Sequence, residues 1–194
     1  LSGLPDKASV VAHYRREAAS RVARPRSYPE SPWSQGLSVQ SAVFPVKTMV
    51  VSDLAKHPAN PMIYVADLLG GVWALDSGGV DQPSLQIRAR YPSSLAIGDL
   101  DGDGHVEFVV GSIGSFVAED SRAATVTVYE GRGRQLQQLT GMGRIADVAV
   151  KDLDGDGALD LVVADFGWQK TGSLKVYWNT RRAGEPFDVE AVTI

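Results

Sequence analysis

The apolar positions of this chain fall into short runs broken by glycine, proline and aspartate, and the runs recur in a fixed order. Ser94-Leu-Ala-Ile-Gly-Asp-Leu100 is followed, across a polar turn, by Val106-Glu-Phe-Val-Val-Gly-Ser112. Ala146-Asp-Val-Ala-Val-Lys-Asp-Leu153 is followed in the same way by Leu159-Asp-Leu-Val-Val-Ala-Asp165. Upstream, Thr48-Met-Val-Val-Ser-Asp-Leu54 and Met62-Ile-Tyr-Val-Ala-Asp67 keep the apolar pattern but not the turn. From Asp53 to Asp99 is 46 residues and from Asp99 to Asp152 is 53, close to the ~40–50-residue period of propeller blades.

Each unit continues with a third run (Gly71–Leu75, Ala124–Tyr129, Ser173–Trp178) and a fourth (Leu85–Ala89, Gln135–Thr140, Phe187–Thr193). Short β-branched and aromatic runs joined by turns predict four antiparallel strands per unit. The second runs, Ile63-Tyr-Val, Phe108-Val-Val and Leu161-Val-Val, are apolar at successive positions, so both faces of those strands are expected to be buried between stacked sheets. The predicted fold class is all-β, with propeller-type blades at about 44–90, 93–140 and 144–194. Three blades are too few to close a ring, so a partner protein or further blades of the same protein are expected to complete the stack.

Residues 1–43 read differently, as an N-terminal arm or linker. Asp6 is placed to cap a helix running to about Arg21, with Val10, Val11, Tyr14 and Ala18 as a partial apolar face. Pro25, Pro29 and Pro32 then enforce an extended segment.

The turns between the first and second runs carry the chemistry. Asp99-Leu-Asp-Gly-Asp-Gly-His-Val-Glu107 and Asp152-Leu-Asp-Gly-Asp-Gly-Ala-Leu-Asp160 each place carboxylates at positions 1, 3, 5 and 9. Side chains at 1, 3 and 5 converge in a tight loop, and Gly104 and Gly157 accept the unusual backbone angles that such a loop demands. So many like charges repel unless a cation lies among them, and an all-oxygen set suits a hard ion, Ca²⁺ above Mg²⁺. The carbonyls of His105 and Ala158 at position 7 would add a ligand each, which explains why the side chain there is free to vary. An EF-hand is excluded, because its position 12 falls on Val110 and Val163 and strands flank both loops.

Asp-Leu-Asp-Gly-Asp-Gly-Ala-Leu-Asp-Leu-Val-Val-Ala at 152–164, and its counterpart from Ile97 to Gly111, resemble the calcium-binding loop of FG-GAP and VCBS repeats. Those are the propeller repeats of integrin α-chain heads and many secreted bacterial proteins. The resemblance spans roughly residues 44–194. It implies two Ca²⁺ ions that brace the hairpin between the first two strands of a blade. It also implies the ligand sets Asp99, Asp101, Asp103, His105 (through its carbonyl) and Glu107, and Asp152, Asp154, Asp156, Ala158 (through its carbonyl) and Asp160. The first unit departs from the pattern: its loop begins Asp53-Leu-Ala-Lys-His-Pro, with Ala55 and His57 in place of carboxylates. No ion is expected there.

Composition narrows the remaining classes. The net charge is −4 among 194 residues, and two Ca²⁺ ions would bring it to about zero. No basic stripe tracks a phosphate backbone, so no nucleic acid is expected. With no cysteine, disulfide scaffolds, thiolate metal sites and covalent c-type haem are excluded. No run approaches the roughly 20 apolar residues of a membrane span. The start Leu1-Ser2-Gly3 reads as a processed or truncated terminus.

Asp165-Phe-Gly167 spells a kinase triplet without the other kinase motifs. Gly141-Met-Gly-Arg-Ile-Ala146 resembles a dinucleotide fingerprint but leads into a strand. The histidines His13, His57 and His105 come with no nucleophile elbow. Trp73, Trp168, Trp178 and Tyr177 would serve either to stack a carbohydrate or protein ligand or to pack between blades, and packing is the expectation. The resulting functional reading is a non-enzymatic, calcium-stabilised, extracytoplasmic module for protein binding or assembly. The alternatives are a non-catalytic subunit of a larger complex, including a redox complex, and a fragment of a propeller enzyme such as a polysaccharide lyase or hydrolase.

Overall fold

The computed structural model describes residues 8–9, 12, 46–51, 62–68, 71–76, 80, 82–116, 121–131, 133–167 and 172–194. Of the predicted N-terminal helix only Ala8, Ser9 and Ala12 are among them, all helical and exposed. The rest of the arm, the loop after Asp53 and Trp168 lie outside the described residues.

The described residues from Val46 onward are all-β and form three antiparallel sheets. In the first, strands β1 (Val46–Val51), β2 (Ile63–Asp67) and β3 (Gly71–Leu75) pair in chain order. The second contains β4 (Pro92–Gly98), β5 (Glu107–Ser112), β6 (Ala124–Tyr129) and β7 (Gln135–Met142). The third contains β8 (Ile145–Lys151), β9 (Asp160–Asp165), β10 (Ser173–Tyr177) and β11 (Val192–Thr193). Each is a simple meander, with strands consecutive in the chain lying side by side in the sheet.

Two of the expected fourth strands are reduced. Leu85–Ala89 contributes a single bridge, in which Val72 and Ile87 exchange both hydrogen bonds (2.8 and 2.9 Å). The 3-10 turn Pro83–Leu85 precedes it and leaves too little extended chain for a longer ladder. Phe187–Thr193 is divided between an Asn179–Phe187 bridge and the two-residue β11, with Val189 and Glu190 exposed between them.

The central sheet is packed on both faces, which accounts for its unbroken apolar run. Phe108 and Val110 of β5 face Tyr64, Ala66, Val72 and Ile87 of the first sheet. Val109, between them in sequence, faces the other way, with Leu161, Val163, Tyr177 and Phe187 of the third. Alternation along one strand thus feeds two cores. Strand β4 lies beside β1 on one side and β8 on the other. There Ser93 Oγ donates to the Ile145 carbonyl (2.8 Å), and the Val148 amide donates to Ser94 Oγ (3.0 Å).

Close approach of the second and third sheets depends on Gly111. A Cβ there would lie 2.6 Å from Ile145 Cγ2 and 3.1 Å from Val148 Cγ1, both on β8. Gly111→Ala is therefore expected to lose about 1–3 kcal/mol by overpacking, read as a fall in melting temperature on the order of 5 °C. An unchanged melt would show that the sheets yield at this point.

The turn that carries the chain from β7 to β8 is held by β9, the strand paired with β8. Asp165 Oδ1, at the end of β9, accepts from the amides of Gly143 (3.1 Å), Arg144 (3.2 Å) and Gly167 (3.2 Å). Asp165-Phe-Gly167 is therefore a turn brace, and Gly141–Ala146 runs straight into β8 without a helix. Among the described residues no helix is long and apolar enough to cross a membrane.

Candidate metal centres

The two acidic loops occupy equivalent places, as the β4–β5 and β8–β9 hairpins. They match bond for bond. The first aspartate accepts two amides: Asp99 from Gly102 (2.7 Å) and Gly104 (3.0 Å), Asp152 from Gly155 (2.7 Å) and Gly157 (3.0 Å). The four glycines have φ between 79° and 89°, a backbone region that side chains with a Cβ seldom enter. Asp101 and Asp154 accept from the amides of Asp103 and Asp156, each at 3.2 Å. Glu107 and Asp160, the first residues of β5 and β9, reach back to the amides of Leu100 (2.7 Å) and Leu153 (3.0 Å).

These bonds draw three carboxylates together in each loop. Ligand oxygens of Asp99, Asp101 and Glu107 lie within 4.8 Å of one another, as do those of Asp152, Asp154 and Asp160. Asp103 and Asp156 stand outside the gathered groups, accepting instead from the amides of His105 (2.7 Å) and Ala158 (2.8 Å). The His105 side chain is exposed and Ala158 is buried.

Electrostatics make the closing acids the sensitive members. Glu107 is 4 % exposed and Asp160 2 %. Burial pushes Glu107 from its ordinary 4.5 up to about 7, against the opposing pull of the Leu100 amide and with help from Asp101, Asp103 and Asp99. Asp160 is raised in the same way, mainly by burial, with the amides of Asn179 and Leu153 opposing. A buried carboxylate among like charges is stabilised in its ionised form by a cation. The donors are all oxygen, the group is compact, and no imidazole or thiolate belongs to it, so the residues fit a hard divalent ion.

A pH dependence follows for the metal-free protein. The folded-state pKa of Glu107 lies above its unfolded value, so the stability linked to its proton is present below about 4.5 and lost as pH rises through about 7. Asp160 acts in the same direction. Without divalent cations the melting temperature is expected to fall between pH 5 and pH 8. A rise over that interval would contradict the burial of these acids.

Two residues with no counterpart in the repeat pattern flank the second loop. Asn179, just beyond β10, donates its amide to Asp160 Oδ1 (2.9 Å). Arg181 donates to the Asp156 carbonyl and lies 3.6 Å from the Asp156 carboxylate. A resident guanidinium competes with a metal ion for the same negative field. Arg181→Ala is accordingly expected to tighten metal binding at the second loop a few-fold, measured by calorimetric titration, and to leave the first loop within two-fold. Weaker binding at the second loop would mean that Arg181 organises it.

Two open clefts adjoin the sheets. One, of about 510 Å³, borders the first loop between Tyr64, Asp101, Glu107, Arg134 and Gly184. The other, of about 610 Å³, is lined by Arg90, Tyr91, Ser112, Phe116 and Tyr129. No histidine among the described residues lines the larger one. The aromatics named in the sequence are mostly packed: Tyr177 and Trp178 are buried, and Trp73 donates to Asp67 (3.3 Å).

Fold and loops together define an all-β protein of packed antiparallel meander sheets with two matched acidic hairpins that could hold a metal ion. No family model matches the chain, and no curated protein does. Among solved structures, a crystal structure of BBS1N in complex with ARL6DN, soaked with lead, is similar to it with a TM-score of 0.34 and 17% identity. The alignment covers 80% of this chain and 54% of that one, so this chain spans about half of its length.

Proposed function

We propose that this chain is a calcium-stabilised propeller repeat module of the FG-GAP/VCBS kind, serving as a protein-binding or assembly domain outside the cytoplasm. The observation that carries this reading is the pair of hairpins built alike, each gathering three carboxylates around a buried closing acid. Asp99, Asp101 and Glu107 would hold one ion and Asp152, Asp154 and Asp160 the other, with Asp103, Asp156 and the carbonyls of His105 and Ala158 as the further oxygens each loop offers. A bound divalent ion would supply positive charge to offset the buried Glu107 and Asp160 and would brace the hairpin each of them closes. A site filled in this way by protein oxygens leaves little room for a substrate, which argues for a structural rather than catalytic role.

Affinities of about 10⁻⁴–10⁻³ M are typical of extracellular calcium modules, and they match a compartment rich in calcium. Stacked sheets of this type bury one another's faces, so further blades or a protein partner complete the assembly.

Calorimetric titration of the full chain with CaCl₂ tests the metal claim. Two equivalents bound, with much weaker binding of Mg²⁺, are expected. No binding at millimolar calcium would overturn it. Isolation from the native source with and without chelator tests the assembly role. A calcium-dependent protein complex supports it, and a monomer with glycan-cleaving activity would sink it.

A further inference from the structure

We infer that the two acidic loops are coupled through Asn179, so that a cation held in one loop raises the affinity of the other. The inference rests on the metal reading above and assigns Asn179 a positioning role within it.

The path is continuous and buried. Glu107 Oε2 accepts from the Leu100 amide (2.7 Å), and the Leu100 carbonyl accepts from Asn179 Nδ2 (2.8 Å). The Asn179 amide donates to Asp160 Oδ1 (2.9 Å), whose other oxygen accepts from the Leu153 amide (3.0 Å). One residue therefore touches the first loop by its side chain and the closing acid of the second by its backbone. Leu100 is 2 % exposed and Asn179 5 %, so neither link is easily replaced by water.

Asn179 also has no freedom to absorb a movement. Its Nδ2 donates to the Leu159 carbonyl as well (3.0 Å), and its Oδ1 accepts from the Arg181 amide (2.7 Å). With the amide and both side-chain polar atoms engaged, a shift of Leu100 must move Asn179, and with it Asp160. Breaking the link instead leaves buried polar atoms unsatisfied.

The link is absent where it would have nothing to connect. Tyr129 pairs with Phe108 in the second sheet as Tyr177 pairs with Leu161 in the third. Two residues beyond these tyrosines stand Gly131 and Asn179 respectively. The unit before Gly131 has Ala55 and His57 in place of loop carboxylates, whereas the unit before Asn179 has a complete acidic loop. The bridging amide thus occurs at the one junction flanked by two such loops.

The test is calcium titration of the full chain by calorimetry, comparing single-site and bridge variants. Asp154→Asn disables the second loop; Asp101→Asn disables the first. Coupling predicts that Asp154→Asn weakens calcium binding at the first loop roughly five-fold or more, and that Asp101→Asn weakens the second by the same factor, because linkage is reciprocal. In an Asn179→Gly background, the residue found at the equivalent position of the second sheet, both effects shrink to less than two-fold. Undiminished effects in that background, or none with Asn179 present, would overturn the role of Asn179 while leaving both sites intact. Absence of calcium binding in the unaltered chain would instead remove the metal reading itself. Should Asn179→Gly fail to fold, the reciprocal pair of single-site variants still decides whether coupling exists.

Discussion

Removing divalent cations will lower the melting temperature of this protein by roughly 10–20 °C. A ligand at a hundred-fold excess over its dissociation constant stabilises the folded state by about 2.7 kcal/mol per site, so two sites contribute on the order of 5 kcal/mol. For a chain of this size each kcal/mol moves the melt by about 2–4 °C. Scanning calorimetry in saturating calcium and in excess chelator measures the difference directly. Glu107→Gln sharpens the result, because it removes a buried negative charge and keeps an oxygen to accept from the Leu100 amide. Metal-free, it should melt above the unaltered metal-free protein at pH 8, yet gain less from calcium. An identical melt in calcium and chelator would leave the acidic hairpins with no stabilising ion.

Phe187→Ala is expected to cost about 3–5 kcal/mol, the range for deleting a buried aromatic ring, or roughly 10 °C of melting temperature. Phe187 is 2 % exposed and sits in the core shared by the second and third sheets, although it belongs to no regular strand. Its backbone is clasped by Gln137 of β7, whose Nε2 donates to the Phe187 carbonyl (2.6 Å) while its Oε1 accepts from the Phe187 amide (3.0 Å). The ring is thus held in place by a side chain from the neighbouring sheet. Val189→Ala, two residues on and 76 % exposed, serves as the control and should stay within about 0.5 kcal/mol. Equal losses at both positions would indicate that this segment is loosely packed.

Much of the architecture was legible in the sequence, because it follows from local order. The spacing of apolar runs announced the hairpins, and Asp99–Glu107 and Asp152–Asp160 announced equivalent acidic turns. Those features need only neighbours in sequence. Strand lengths at the sheet edges were harder, since whether Leu85–Ala89 pairs along its length depends on where Pro83 places the chain. Of the loop carboxylates, Asp99, Asp101 and Glu107 are gathered, while Asp103 accepts from the His105 amide beside them. Asn179 and Arg181 escaped notice altogether. Asn179 acts on Leu100, 79 residues away in sequence, and no periodicity reports such a contact. The signal that would have found it is the break in the repeat, an asparagine standing where the previous unit has Gly131.

The Asp165 clamp on the β7–β8 turn has a consequence for biosynthesis. The carboxylate that secures Gly143 and Arg144 lies more than twenty residues downstream. The exit of one unit is therefore fastened only after the ribosome has delivered the second strand of the next. Contacts confined to neighbouring units let such arrays grow by propagation. At this junction the latch behind the addition is supplied by the newcomer, which gives this step of assembly a direction from the N-terminal side onward.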